Sequence, residues 1–286
     1  MKLSRTQSFI IVSGIYIVAF FLGLATYQCP CLAANPVLLR LFIADVVATV
    51  FVWIFGLIFK NVSVYDPYWS VAPPAMLTAY ACQMGTWSAA TILLLIAVWT
   101  WGVRLTGNWA YTFRGLHSED WRYTKYRTEK SPAVFQLINF AGLNMVPTIV
   151  VFMAMVPGFK IIEYGADANI FTVLACLLCL GAATLQLVAD HQIHEFVRQK
   201  KGRVCNVGLW KHGRHPNYFG EVTMWWGVYL MFLSVTPDIA HNWFWLIGAV
   251  MNTLLFCFIS IPLMENRQLK NKPEYAEYKA NTRMFI

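Results

Sequence analysis

Charge is scarce in this chain. Asp, Glu, Lys and Arg make up 13% of its 286 residues, against about 25% in an ordinary soluble domain. That is too little ionic surface to cover a globule in water. Low-complexity tracts and clear internal repeats are also missing, which excludes a solenoid or a disordered scaffold. Histidine is sparse, with six residues. His191-x-x-His194 and His212-x-x-His215 have a spacing known from metal ligands, but His117 and His241 fall in separate segments. No metal site is expected. The seven cysteines are odd in number and scattered, so no disulfide framework is implied. Cys176-x-x-Cys179 sits inside an apolar run and reads as small core residues. Cys29, Cys31 and Cys82 fall near one membrane face in the topology below, where an oxidising compartment would permit a disulfide among them.

What the chain has in abundance is apolar surface. Hydrophobic residues are 58% of it, aromatics 16%, and the mean hydropathy is +0.52. Apolar stretches of roughly 18 residues or more recur, each long enough to cross a bilayer core. The expectation is an all-α, polytopic membrane helix bundle with about eight spans. These lie near 8–27, 37–59, 69–84, 87–105, 134–156, 170–190, 218–236 and 243–263, all within one integral membrane domain, 1–286. The third span starts beside Pro73-Pro74, and the fifth contains Pro147 and ends at Pro157-Gly158. The apolar run Phe9–Thr26 exceeds a secretory signal core and reads as an uncleaved first span.

Lys and Arg prefer cytoplasmic loops. With both termini placed in the cytoplasm, 20 of the 22 basic residues fall on that side, and only Arg40 and Lys160 lie opposite. The net charge of +8 therefore belongs to loops flanking spans, which argues against nucleic acid. Such loops suit lipid headgroups or an anionic cofactor. The multi-pass membrane is a bacterial inner membrane or an endoplasmic reticulum.

Ionisable groups within or beside spans are the first functional suspects, because burying them is costly. Asp45, Asp66, Asp190 and Glu221 form that short group. Asp45 reads as paired with a polar neighbour. Asp66 sits in a polar, aromatic, proline-kinked segment with Tyr65 and Tyr68. Gln186, Asp190 and His194 recur at four-residue intervals and so share one helical face. Pro216 can open a helix, which places Asn217 and Glu221 on one face. Gly220 between them permits close approach. Arg203, Lys211 and Arg214 lie just upstream, and basic side chains beside a helix N-terminus suit phosphate.

Gly208-Leu-Trp210 followed by Arg214-His-Pro-Asn-Tyr-Phe-Gly-Glu221 resembles the signature of the DUF1295 membrane proteins, relatives of steroid 5α-reductases and sterol C14/C7 reductases. Trp101-Gly-Val-Arg104, Glu119-Asp-Trp-Arg-Tyr123 and Tyr275-x-x-Tyr278 fit the same pattern, and the likeness covers 61–286. It implies a bundle open to the cytoplasm that holds NADPH, with NADH as an alternative. By that likeness Asn217 and Tyr218 would touch the nicotinamide or its surroundings, with Glu221 close by. Gln186 and Asp190 would meet the nucleotide. Arg104, Arg203 and Arg198, the last at an offset of one residue, would face phosphate. Glu265 and Arg267 would close over the cofactor.

One position departs from the reductases. Where they carry a carbonyl-polarising tyrosine, this chain has Trp101. The implied activity is NAD(P)H-dependent reduction of a lipophilic, steroid-, sterol- or other lipid-like unsaturated substrate arriving from the bilayer. Asp66 or Glu221 would be the acid, and Tyr65, Tyr68 or Tyr123 the donor. An S-adenosylmethionine-dependent methyltransferase is the alternative, since isoprenylcysteine carboxyl methyltransferases share an Arg-His-Pro-x-Tyr-x-Gly core. Glu221 favours the reductase over it. A non-catalytic lipid-binding membrane protein is the third reading.

Overall fold

The structure is a computed structural model that describes residues 3–200, 202–236 and 238–286. It is helical, with no strand among those residues. The long helices are α1 (Arg5–Tyr27), α2 (Val37–Ile58), α3 (Tyr68–Met84), α4 (Ala89–Thr112), α6 (Pro132–Tyr164), α7 (Ile170–Gln199), α8 (Pro216–Val235) and α9 (Ile239–Asn271). Two short helices, α5 (Trp121–Glu129) and α10 (Tyr275–Asn281), follow α4 and α9. Among the described residues six helices are long and apolar enough to cross a membrane: α1, α2, α4, α6, α7 and α9. All eight expected spans are helices. α3 has only 17 residues, and α8 opens on the polar Pro216-Asn217-Tyr218 turn.

Outward faces are apolar. Ile10, Phe171 and Phe258 are at least two-thirds exposed, a pattern that water would penalise and lipid would not. The protein is a multi-pass membrane protein in contact with membrane lipid.

The proline-marked spans differ from expectation in their limits. α6 does not end at Pro157-Gly158 but continues to Tyr164. A wider π turn over Ile138–Met145 precedes Pro147, which cannot donate to the helix ladder; an extra residue in that turn is a known accommodation. In α3, Pro73 and Pro74 lie inside the helix, and Thr78 returns its hydroxyl to the Pro74 carbonyl at 2.6 Å.

The chain divides into two compact units, 1–79 with 105–152, and 80–104 with 153–286. In the first, α1 and α2 pack as a hairpin whose core includes Val12, Ile15, Ala48, Val52, Tyr65 and Phe113. Asn61 ties the segment after α2 to the Leu116 and Ser118 carbonyls at 2.8 and 3.1 Å.

In the second unit α7 and α8 run in close contact, and their sequences explain why. A Cβ added at Gly220 would lie 2.5 Å from Gln186 Cγ and 2.8 Å from the Ala182 carbonyl, and one at Gly227 would overlap Cys179 Sγ. Small residues let membrane helices approach closely where no hydrophobic effect drives them together. Cys176 and Cys179 are buried free thiols of that seam. Gly227→Ala should lower the melting temperature in detergent, by about 1–3 kcal/mol of stability. Adding Cys179→Ala should restore most of it. An unchanged melting temperature for Gly227→Ala would refute the close seam.

Candidate functional site

In the second unit three helices each bring polar side chains to one buried place. α4 supplies Trp101 and Arg104, α7 supplies Gln186 and Asp190, and α8 supplies Asn217, Glu221 and Trp225. Spacings of three and four residues put each set on one face. Arg104 Nη1 donates to Gln186 Oε1 at 2.5 Å, and its Nη2 pairs with Asp190 Oδ2. Asn217 Nδ2 donates to the other Asp190 oxygen at 3.0 Å. Glu221 accepts two indole N–H groups, from Trp101 at 2.7 Å and from Trp225 at 3.0 Å. Trp101, Gln186 and Trp225 are essentially inaccessible, and Asp190 and Glu221 nearly so.

The network is satisfied except at two atoms. Arg104 Nε is buried without a hydrogen-bond partner among the described residues. The Gln186 amide adjoins the Glu221 carboxylate, but its Nε2 makes no hydrogen bond of normal geometry. An unmet buried donor costs about 1–3 kcal/mol, so two in one network call for an acceptor.

A second ion cluster fixes the segment leading into α8. Glu265 Oε1 receives Arg214 Nε at 2.7 Å and lies 3.1 Å from His215 Nε2, while its Oε2 receives Lys279 Nζ at 2.7 Å. The C-terminal residues add backbone bonds: Arg214 N–H to the Arg283 carbonyl at 2.9 Å, and His215 N–H to that of Met284 at 3.1 Å. Burial pulls His215 below the ordinary imidazole range, against the opposing pull of Glu265. Tyr218 stacks on His215 with ring centroids 5.4 Å apart and meets Phe256 at 4.9 Å.

The arginines expected to face phosphate thus separate. Arg104 is in the buried network, and Arg214 is held by Glu265. Arg198, Arg203 and Arg267 are exposed; Arg198 pairs with Glu195 at 2.9 Å and Arg203 with Glu274 at 3.3 Å. Such exposed pairs are weak, about 0–1 kcal/mol each, and yield readily to a stronger anion.

The first unit holds the remaining acid candidates. Tyr123 donates its hydroxyl to Asp66 Oδ1. Burial raises the Asp66 carboxyl above the ordinary range, opposed chiefly by Arg122 and by the Tyr123 hydrogen bond. Burial, with the Asp66 charge next, pushes the Tyr123 phenol well up. Tyr68 turns away from this pair and donates to Asp45 Oδ1 at 2.9 Å. Tyr65 and Thr148 share a hydrogen bond of 2.7 Å, and Thr148 and Thr49 one of 2.9 Å.

Several of these partnerships were not evident from sequence. Trp101 and Trp225 as anchors of Glu221 were missed; the four-residue interval between Glu221 and Trp225 was the available signal. The pairing of Tyr68 with Asp45 had none, because 23 residues separate them.

The family model described as a protein of unknown function, DUF1295, matches residues 52–282. An uncharacterized protein of Schizosaccharomyces pombe is 22% identical over 236 residues, covering 73% of this chain and 68% of that protein. No solved structure matches.

Two predictions follow from the geometry. Asp190→Leu should cost about 3–5 kcal/mol, because it strands the buried Arg104 guanidinium, whereas Asp190→Asn should cost less; equal melting temperatures for both would contradict the pairing. An acid held above its unfolded range binds its proton more tightly in the folded state. The stabilising contribution of Asp66 is therefore complete below the unfolded carboxylate pKa, about 3.9, and is lost as pH rises through the folded value. The melting temperature of Asp66→Asn should gain on wild type as pH rises through that window, and a constant gap would show that the carboxyl is unperturbed.

Proposed function

This chain belongs to the DUF1295 family, and we propose that it is a membrane-embedded NAD(P)H-dependent reductase of a lipophilic unsaturated substrate. The observation that carries the reading is the buried Arg104–Gln186–Asp190–Asn217–Glu221 network with two donors left open. A nicotinamide carboxamide offers the carbonyl acceptor those donors lack and an amide that a carboxylate can accept.

Charge is arranged to suit the rest of a dinucleotide. Away from the two buried carboxylates, the same unit carries exposed Arg198, Lys200, Arg203, Lys211, Arg267 and Lys270 on the segments beside the network. These segments match the cytoplasmic loops of the charge-based topology. Arg203 is our candidate for a cofactor phosphate, since it is exposed and held by a single ion pair among the described residues, to Glu274.

When bound, the nicotinamide supplies the hydride. Glu221, with both oxygens accepting indole N–H groups, serves as an anchor rather than a proton donor. Trp101 contributes through that anchor, which gives a role to the position where reductases carry tyrosine. The substrate reaches the protein from the bilayer.

The test is thermal stabilisation of the detergent-purified protein by NADPH, NADH and S-adenosylmethionine in parallel, since a ligand that binds the folded state raises the melting temperature by mass action. Stabilisation by a nicotinamide dinucleotide is expected. It should fall at least tenfold in apparent affinity in Asn217→Ala, and more weakly in Arg203→Ala. A response to S-adenosylmethionine alone would establish the methyltransferase alternative instead, and no response to any of the three would favour a lipid-binding protein without this chemistry.

A further inference from the structure

Outside the Arg104–Glu221 network, two buried side-chain polar atoms among the described residues have no hydrogen-bond partner: Trp53 Nε1 and Asn252 Oδ1. Trp53 is half-buried, with a large apolar ring to account for its place. Asn252 has no such apolar body. It is a short amide, 2% exposed, in the middle of α9. Between Asp238 and Glu265 the chain has no Asp, Glu, Lys or Arg. Lipid cannot meet an amide oxygen, and bulk water does not fill the interior of a span. An unmet buried acceptor is unfavourable wherever nothing comes to fill it.

The surroundings of Asn252 are fixed by its helix neighbours. Gly248, Asn252 and Phe256 recur at four-residue intervals and so share one face of α9. On one side Gly248 approaches α6 so closely that a Cβ there would lie 2.1 Å from the Met153 carbonyl oxygen. On the other side Phe256 meets the Tyr218 ring at 4.9 Å. Tyr218 follows Asn217, whose amide holds Asp190. Asn252 therefore lies one helical turn, about 6 Å, from the residue that touches the first turn of α8, on the side away from Glu265. The winding of α9 widens just after it, in a π turn over Phe256–Ser260 that precedes Pro262. Such turns are frequent at functional sites. The adjacent hydroxyl is already engaged: Thr253 Oγ1 accepts from Trp226 Nε1 at 3.0 Å and donates to the Ala249 carbonyl at 2.8 Å.

We propose that Asn252 receives the hydroxyl group of a neutral lipid alcohol that enters this unit from the bilayer. The open Oδ1 calls for a donor, and a hydroxyl is the donor that an otherwise apolar lipid carries. A ketone or ester carbonyl does not serve, because it only accepts. A lipid ammonium does not serve either. It would need a free carboxylate, and Asp190 is already paired with Arg104 while Glu221 is held by two indoles. The site lies beside the α8 turn that carries Asn217, so an alcohol anchored there would extend along the same unit as the polar network. That this alcohol is the substrate rests on the reductase reading; that it binds does not.

The test is thermal stabilisation of the full chain in detergent by cholesterol and by farnesol. Each is run beside its counterpart without the hydroxyl, cholest-5-ene or farnesene, and NADPH is run alone in parallel. At least one alcohol should raise the melting temperature saturably while its hydrocarbon counterpart does not. Asn252→Leu should weaken that response at least about tenfold in apparent affinity. It should also raise the melting temperature of the ligand-free protein, because it removes an unmet buried group. Asn252→Ala, which adds no bulk, should weaken the response in the same way. Discrimination between alcohol and hydrocarbon without any response to NADPH would uphold the site and remove the reductase reading. Equal stabilisation by alcohol and hydrocarbon, no stabilisation by either alcohol, or an undiminished response in both variants would overturn the proposal.

Discussion

A guanidinium buried among membrane helices must be neutralised where it stands, because neither water nor lipid can do it. Arg104 imposes that condition on the second unit. Meeting it requires Asp190 and Gln186 one turn apart on α7, and holding Asp190 in turn uses Asn217 at the start of α8. The α7–α8 seam therefore has to be tight, and glycines at 220 and 227 make it so. Glu221 extends the same face and draws in the indoles of Trp101 and Trp225. One buried charge thus determines which residues α4, α7 and α8 present to one another.

The architecture was largely legible because it follows from local properties. Apolar run length depends on short stretches of chain, and all eight expected spans are helices. The limits were less legible where proline was read as a stop. Pro157 does not end α6, because neighbouring helices can accommodate a missing donor at a cost no single sequence reveals. α7 likewise runs nine residues past the expected limit at 190, to Gln199, where solvent replaces lipid and composition no longer marks an end.

The candidate site was legible in its members and not in their partnerships. Arg104, Gln186, Asp190, Asn217 and Glu221 could be gathered from spacing and from a family resemblance. That Arg214 belongs instead to Glu265 could not, since 51 residues separate them. Nor could sequence indicate that Tyr68 turns to Asp45 while Asp66 takes Tyr123. Phenol–carboxylate pairing depends on how the segment after α2 is tied down, and Asn61 does that through carbonyls more than fifty residues away. Trp101, a departure from the reductase pattern at the level of sequence, has a structural role as a hydrogen-bond donor to Glu221.

We propose that the Arg104–Glu221 network receives a nicotinamide. Trp101 and Trp225 donate to the Glu221 carboxylate, so a nicotinamide held there would lie within energy-transfer range of both. The most direct measurement is tryptophan-sensitised fluorescence of NADPH bound to the detergent-purified protein. Saturable quenching of tryptophan emission with matching growth of nicotinamide emission is expected, both reduced by half or more in a Trp101→Phe, Trp225→Phe double variant under saturating NADPH. Nicotinamide emission that fails to appear, or that is unchanged in the double variant, would contradict it.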